Sequence, residues 1–176
     1  MTTYWMNVLV VRLAQGRGQE LAAEIEAIIE QQPGLPGWRA VAAWLAALRG
    51  EHDRVRSECD LLRGGAALPR DMAWSGAAML LGRAVAATGD LQRSRVLATT
   101  LAPYTGMMTW IGSCTVGPFD QALAELAVAS GDDAAALQFA GNAQRLLHRL
   151  QASVYQPDLD EVLSGLDARG QLAPHL

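Results

Sequence analysis

Five glycines, Gly16, Gly50, Gly89, Gly131 and Gly170, recur at intervals of 34, 39, 42 and 39 residues, each closing a stretch rich in alanine and leucine. A recurrence on this scale is the period of helix-turn-helix arrays, in which one unit cannot bury its apolar face alone and must stack on its neighbours. The feature predicts an all-α chain and directs the search for function to surfaces. Two positions before the glycines stand Ala14, Leu48, Ala87, Ala129 and Ala168; seven before stand Leu9, Ala43, Gly82, Ala124 and Leu163. Eight before, Val8, Ala42, Leu81, Leu123 and Val162 complete a slim stripe that lets the first helix of each unit approach its neighbours closely. The glycine then supplies the left-handed residue that ends that helix.

After the glycine come Glu51, Asp90 and Asp132-Asp133, suited to capping the amides and positive dipole end of a second helix. The second helices carry apolar residues at helical spacing, among them Leu21, Ile25, Ile28 and Ile29, then Val55, Cys59 and Leu62, then Leu97 and Leu101, then Leu137, Ala140, Leu147 and Leu150. Glu20, Glu24, Arg54, Glu58, Arg93, Arg95 and Arg145 fill the faces expected to meet solvent. With breakers at Pro33-Gly34-Leu35-Pro36-Gly37, Gly64-Gly65, Pro69, Pro103, Gly117-Pro118 and Pro157, nine helices are predicted. They fall near 4–15, 18–32, 36–49, 52–63, 71–88, 91–102, 118–130, 133–152 and 158–169, within one domain over 1–176. Val8-Leu9-Val10-Val11 in the first is also strand-like.

The chain contains no lysine: its 14 cations are all arginines, set against 18 carboxylates for a net charge of −4. A Walker A loop and Schiff-base chemistry both need that amine and are excluded. A pI near 5.3 offers no basic footprint, so direct nucleic-acid binding is not expected. Cys59 and Cys114 form no C-x-x-C pair, and the first dozen residues lack the charged region and cleavage site of a signal peptide. The apolar run from Met72 to Gly82 is far shorter than the ~20 residues of a span. A cytoplasmic, non-membrane protein is the expectation.

Four ordered motifs, Pro36-Gly37-Trp38-Arg39-Ala40, Leu68-Pro69-Arg70-Asp71-Met72-Ala73-Trp74, Leu101-Ala102-Pro103-Tyr104-Thr105-Gly106 and Gly117-Pro118-Phe119-Asp120, carry a family resemblance. Across about residues 17–150 the chain resembles the C-terminal helical-repeat region of large actinobacterial regulators. That region is similar to tetratricopeptide solenoids and accompanies a nucleotide cyclase, an AAA-type signalling ATPase or a LuxR-type DNA-binding domain. The resemblance implies a TPR-like α-solenoid that binds a peptide, a protein partner or an adjoining regulatory domain. It leaves open whether this chain is a piece of such a regulator or a stand-alone relative. Two departures stand out: Met107, Met108 and Trp110 follow the Tyr-x-Gly element in place of plain small aliphatics, and the unit from Ala152 to Gly170 matches loosely.

No catalytic constellation is legible. His52, His148 and His175 are far apart, neither cysteine has a histidine at ligand spacing, and no metal or cofactor is expected. Gly16-Arg17-Gly18 reads as a helix terminator, Ser75 and Ser113 lack a G-x-S-x-G frame, and Asp158, Asp160 and Glu161 read as dipole partners of a helix start. Candidate binding residues are Trp74, Tyr104, Met107, Met108 and Trp110, since aromatic and methionine side chains can form an adaptable apolar pocket. The segment from Tyr104 to Gly117 is expected as a buried connector on the inner side of the array. There it would form the main apolar depression between the third and fourth units. Two function classes remain: a non-enzymatic interaction module, and a stand-alone protein or pocket-based enzyme that takes a small apolar ligand through this segment.

Overall fold

The computed structural model describes residues 2–168, all of whose regular structure is helical. Gly170 and His175, and the end of the last expected helix at 169, lie outside these residues. Nine α-helices are present among them: α1 (Thr2–Ala14), α2 (Ala22–Gln31), α3 (Gly37–Ala47), α4 (His52–Leu61), α5 (Trp74–Ala86), α6 (Leu91–Leu101), α7 (Phe119–Ala129), α8 (Asp133–Leu150) and α9 (Gln156–Asp167). Val8–Val11, open between helix and strand on composition, is helical.

The repeated glycines end helices by the expected geometry. Gly16, Gly50, Gly89 and Gly131 have φ of 68, 72, 66 and 74°, in the left-handed region where a Cβ is penalised. At Gly50 the glycine N–H donates to Ala47 O at 2.9 Å and the Glu51 N–H reaches back to Ala46 O at 3.0 Å, the paired bonds of a Schellman end. The same pair closes α1 and α7. Beyond two of the glycines the acidic residue caps the next helix: Asp90 accepts from Arg93 N and Asp132 from Ala135 N, each at 3.0 Å. Glu51 does not cap α4. The Arg49 guanidinium captures its carboxylate at 2.5 Å instead, a stronger partner than a backbone amide.

Helix α3 packs on α5 and α5 on α7, while α4, α6 and α8 each pack back on the helix before them. The inner row is slim by necessity. A Cβ on Gly82 would stand 3.0 Å from Leu101 and 3.4 Å from Leu126, so α5 carries glycine where α6 and α7 press on it. One large core cluster runs from Leu9 to Leu126, and two smaller ones seat α9 on α7 and α8 through Leu159 and Leu166. Glu58, expected on the solvated face of α4, is only 8% exposed. It lies folded against the body, where Arg39 on α3 pairs with it at 3.2 Å. Leu150, expected in the core, is 51% exposed at the end of α8.

The segment between α6 and α7 folds back on itself. Thr109 N donates to Gly117 O at 3.0 Å, Phe119 N to Met107 O at 3.0 Å and Ile111 N to Cys114 O at 2.9 Å, with a single antiparallel bridge at Met108 and Pro118. Its start is pinned by Asp120, fully buried on α7, whose carboxylate accepts from Thr105 Oγ1 (2.6 Å), Gly106 N (2.5 Å) and Asn142 Nδ2 (3.0 Å). The Tyr-Thr-Gly and Gly-Pro-Phe-Asp motifs are therefore two halves of one hydrogen-bonded corner.

Two outcomes test this local account. At Gly131 nothing lies within 4 Å of an added Cβ, so Gly131→Val strains backbone alone and should lower unfolding free energy by about 1–2 kcal/mol. Denaturant midpoints measure it. The Asp90 carboxyl is held below the ordinary aspartate range, first by the Arg93 backbone N–H and then by the Arg93 side chain. A carboxyl depressed in the folded state stabilises above its unfolded pKa and loses that contribution as pH falls through the folded value. The melting-temperature advantage of the wild type over Asp90→Asn should thus be present at neutral pH and fade in acid below the usual aspartate range.

Candidate functional site

Two concavities face different ends of the inner helices. The first is an apolar cavity of about 80 Å³ where α1, α3, α5 and the connector meet. Trp38 and Trp74 stand in its walls at the starts of α3 and α5, Leu9 and Val41 line its depth, and Ile111 and Val116 of the connector close one side. Trp74 is held from behind: the Arg70 guanidinium lies 3.7 Å from its ring centroid and the Tyr104 ring 4.9 Å away. Tyr104 in turn stacks on Phe119 at 5.1 Å, and its hydroxyl accepts from Arg70 at 2.6 Å. The connector is locked onto α5 by a reciprocal pair, Ser75 Oγ donating to Trp110 O at 2.7 Å and accepting from Trp110 N at 2.8 Å. Gly76 permits that approach, since a Cβ there would meet Ile111 Cγ2 at 2.5 Å.

The second concavity is a cleft of about 310 Å³ between the inner helices and α9. Arg83, 8% exposed in the last turn of α5, sits in its floor. Its Nε meets Glu125 of α7 at 2.9 Å, its Nη1 meets Asp158 of α9 at 2.8 Å, and its guanidinium carbon lies 4.3 Å from the Trp44 ring centroid. Burial opposes the arginine's charge most, yet the two carboxylates outweigh it and hold Arg83 more firmly protonated than usual. Burial pushes the Glu125 carboxyl up, with Arg83 opposing. Gln121, 1% exposed, faces the same carboxylates through Nε2 at 3.5 and 3.4 Å. A neighbouring cleft of about 250 Å³ continues past Arg83 to Val10 on α1 and Tyr155 before α9.

Val10, Trp44, Arg83 and Glu125 each stand six residues before a repeat glycine. They therefore occupy one register on α1, α3, α5 and α7 and together border these clefts. Sequence reasoning passed over this column, although it is where the small-residue stripe gives way to tryptophan, arginine and glutamate. Asp158, taken as a dipole partner, does stand in the first turn of α9, but its nearest cation is Arg83, 75 residues away.

The five residues put forward as a binding set do not converge. Trp74 alone borders the apolar cavity. Tyr104 is packed between rings, and Met108 belongs to the small cluster beneath α9. Met107 and Trp110 are 52 and 62% exposed. The connector is not buried throughout, because its hairpin pairing alternates faces: Ile111 and Val116 turn inward, and Trp110 turns out. Its contribution to an apolar depression comes from Ile111 and Val116. Among the described residues no three His, Cys, Asp or Glu gather as metal ligands, and burial raises the pKa of both Cys59 and Cys114 thiols. No helix among those residues is long and apolar enough to cross a membrane.

No protein-family model, curated protein or solved structure matches the chain.

Trp74 is 7% exposed and touches Arg70, Tyr104 and Phe119, so Trp74→Ala should cost about 3–5 kcal/mol through the enlarged cavity. An unchanged denaturant midpoint would contradict its role as an anchor.

Proposed function

We propose that this chain is a TPR-like α-solenoid acting as a non-enzymatic interaction module, whose inner face receives a peptide or a neighbouring domain. The observation that carries the reading is the row Val10, Trp44, Arg83 and Glu125. In a stacked repeat, side chains at one register on successive inner helices face a shared surface, and a ligand laid along that surface reads them in turn. Here the row is bulky and charged where the flanking registers are alanine, glycine and leucine. It opens to solvent through clefts bordered by the exposed Asp158 and Glu161.

The resemblance to the helical-repeat region of actinobacterial signalling and transcriptional regulators supports the same reading, with a cytoplasmic setting and a partner domain as the expected occupant. Arg83 is already paired, so the inner face offers carboxylates outward and suits a partner surface with cationic side chains.

The test places a photo-crosslinking benzophenone amino acid at position 161, on the cleft rim, and separately at position 95, on the outer face of α6. In cells of the source organism, adducts to a defined protein should form several-fold more at 161 than at 95. Equal labelling at both positions, or catalytic turnover by the purified chain, would overturn the proposal.

A further inference from the structure

We infer that the cavity between Trp38 and Trp74 is a binding site for a small, uncharged, apolar molecule of a few carbons. This site is separate from the inner-face row and lies at the N-terminal ends of α3 and α5. Its chemistry defines the ligand class. The one ionisable side chain on its border is Asp71, exposed to solvent with its Oδ1 accepting from Ala73 N at 2.9 Å, and the rest of the lining is aliphatic, aromatic or small. A lining with so few polar partners holds water poorly and favours an apolar guest. Size narrows the class further. At about 80 Å³ the cavity is roughly half the ~150 Å³ engineered void that admits benzene, which suits a few carbons and excludes fused rings.

The space is built into the walls. Gly37 and Ala77 face each other across α3 and α5, an added Cβ on Gly37 standing 3.6 Å from the Ala77 methyl, where larger side chains would fill the gap. Trp74 cannot swing into it, because Arg70 and Tyr104 hold its outer face. Ile111 cannot settle deeper, because it already rests against Gly76 and the Ser75–Trp110 pair fixes the backbone beside it. A cavity whose walls are restrained on both sides does not collapse and remains available to a guest. Leu35, 38% exposed, stands on its border.

The test uses the full chain with xenon and isobutane as probes. The ¹²⁹Xe shift should titrate to saturation, and isobutane should give saturation-transfer signals that xenon competes away. Ala77→Leu, which fills the cavity, should weaken xenon binding at least tenfold while circular dichroism and melting stay those of a folded protein. A non-saturating xenon shift in the wild type, or unchanged binding in folded Ala77→Leu, would overturn the inference. If Ala77→Leu does not fold, a xenon-pressurised crystal of the wild type decides: density between Trp38 and Trp74 supports the site, and its absence there overturns it.

Discussion

Gly82 leaves Leu101 and Leu126 within 3.0 and 3.4 Å of where its Cβ would sit, and that close approach of α5 to its neighbours organises the molecule. Alanine and glycine on the inner helices let dispersion contacts form along the whole row, and such contacts decay steeply with separation. Where the helices touch through these small residues, large side chains are displaced to the flanking registers and the helix ends. Trp38 and Trp74 at the helix starts then border the apolar cavity, and Trp44 with Val10, Arg83 and Glu125, six residues before the glycines, borders the clefts. Both concavities are thus consequences of the same slim packing.

The Arg83 cluster is the costly part of this arrangement. Taking a guanidinium and a carboxylate out of water is repaid only by good geometry and further hydrogen bonds. Arg83 has both: two carboxylates at 2.8 and 2.9 Å and an indole face at 4.3 Å. Arginine suits the place better than lysine, since its planar group can pair in its own plane while stacking on Trp44. The cluster joins α3, α5, α7 and α9, so its net effect lies in fixing how those helices are arranged relative to one another more than in raw stability.

The helical class was legible in the sequence because glycine and aspartate act locally. A left-handed terminator and an N-cap work within a few residues of where they stand, so Gly89-Asp90 and Gly131-Asp132 announce their helix ends directly. What the sequence concealed depends on distant partners. Glu58 reads as solvated until Arg39 is found beside it, and Arg83 reads as a chance interruption of an apolar helix until Glu125 and Asp158 converge on it. The aromatic and methionine set failed for a related reason. Composition says that Met107, Met108 and Trp110 avoid water on average, but the hairpin alternation decides which face each takes, and that pairing carries no helical period. Aligning the repeats on their glycines and reading the column six residues earlier would have located half of the inner row's chemistry without any structure.

The connector's tip has a last consequence. Ser113 Oγ donates to Asn7 on α1 at 2.9 Å across 106 residues of chain, and Tyr155 donates to Thr115 O at 2.9 Å from the other direction. A repeat array with contacts only between neighbours melts from its ends, each unit fraying in turn. Here the hairpin ties the first helix and the approach to the last one to the same few residues. These bonds add contacts between parts of the chain that are far apart in sequence. Such long-range contacts raise the contact order, which slows folding relative to a chain whose contacts are all local.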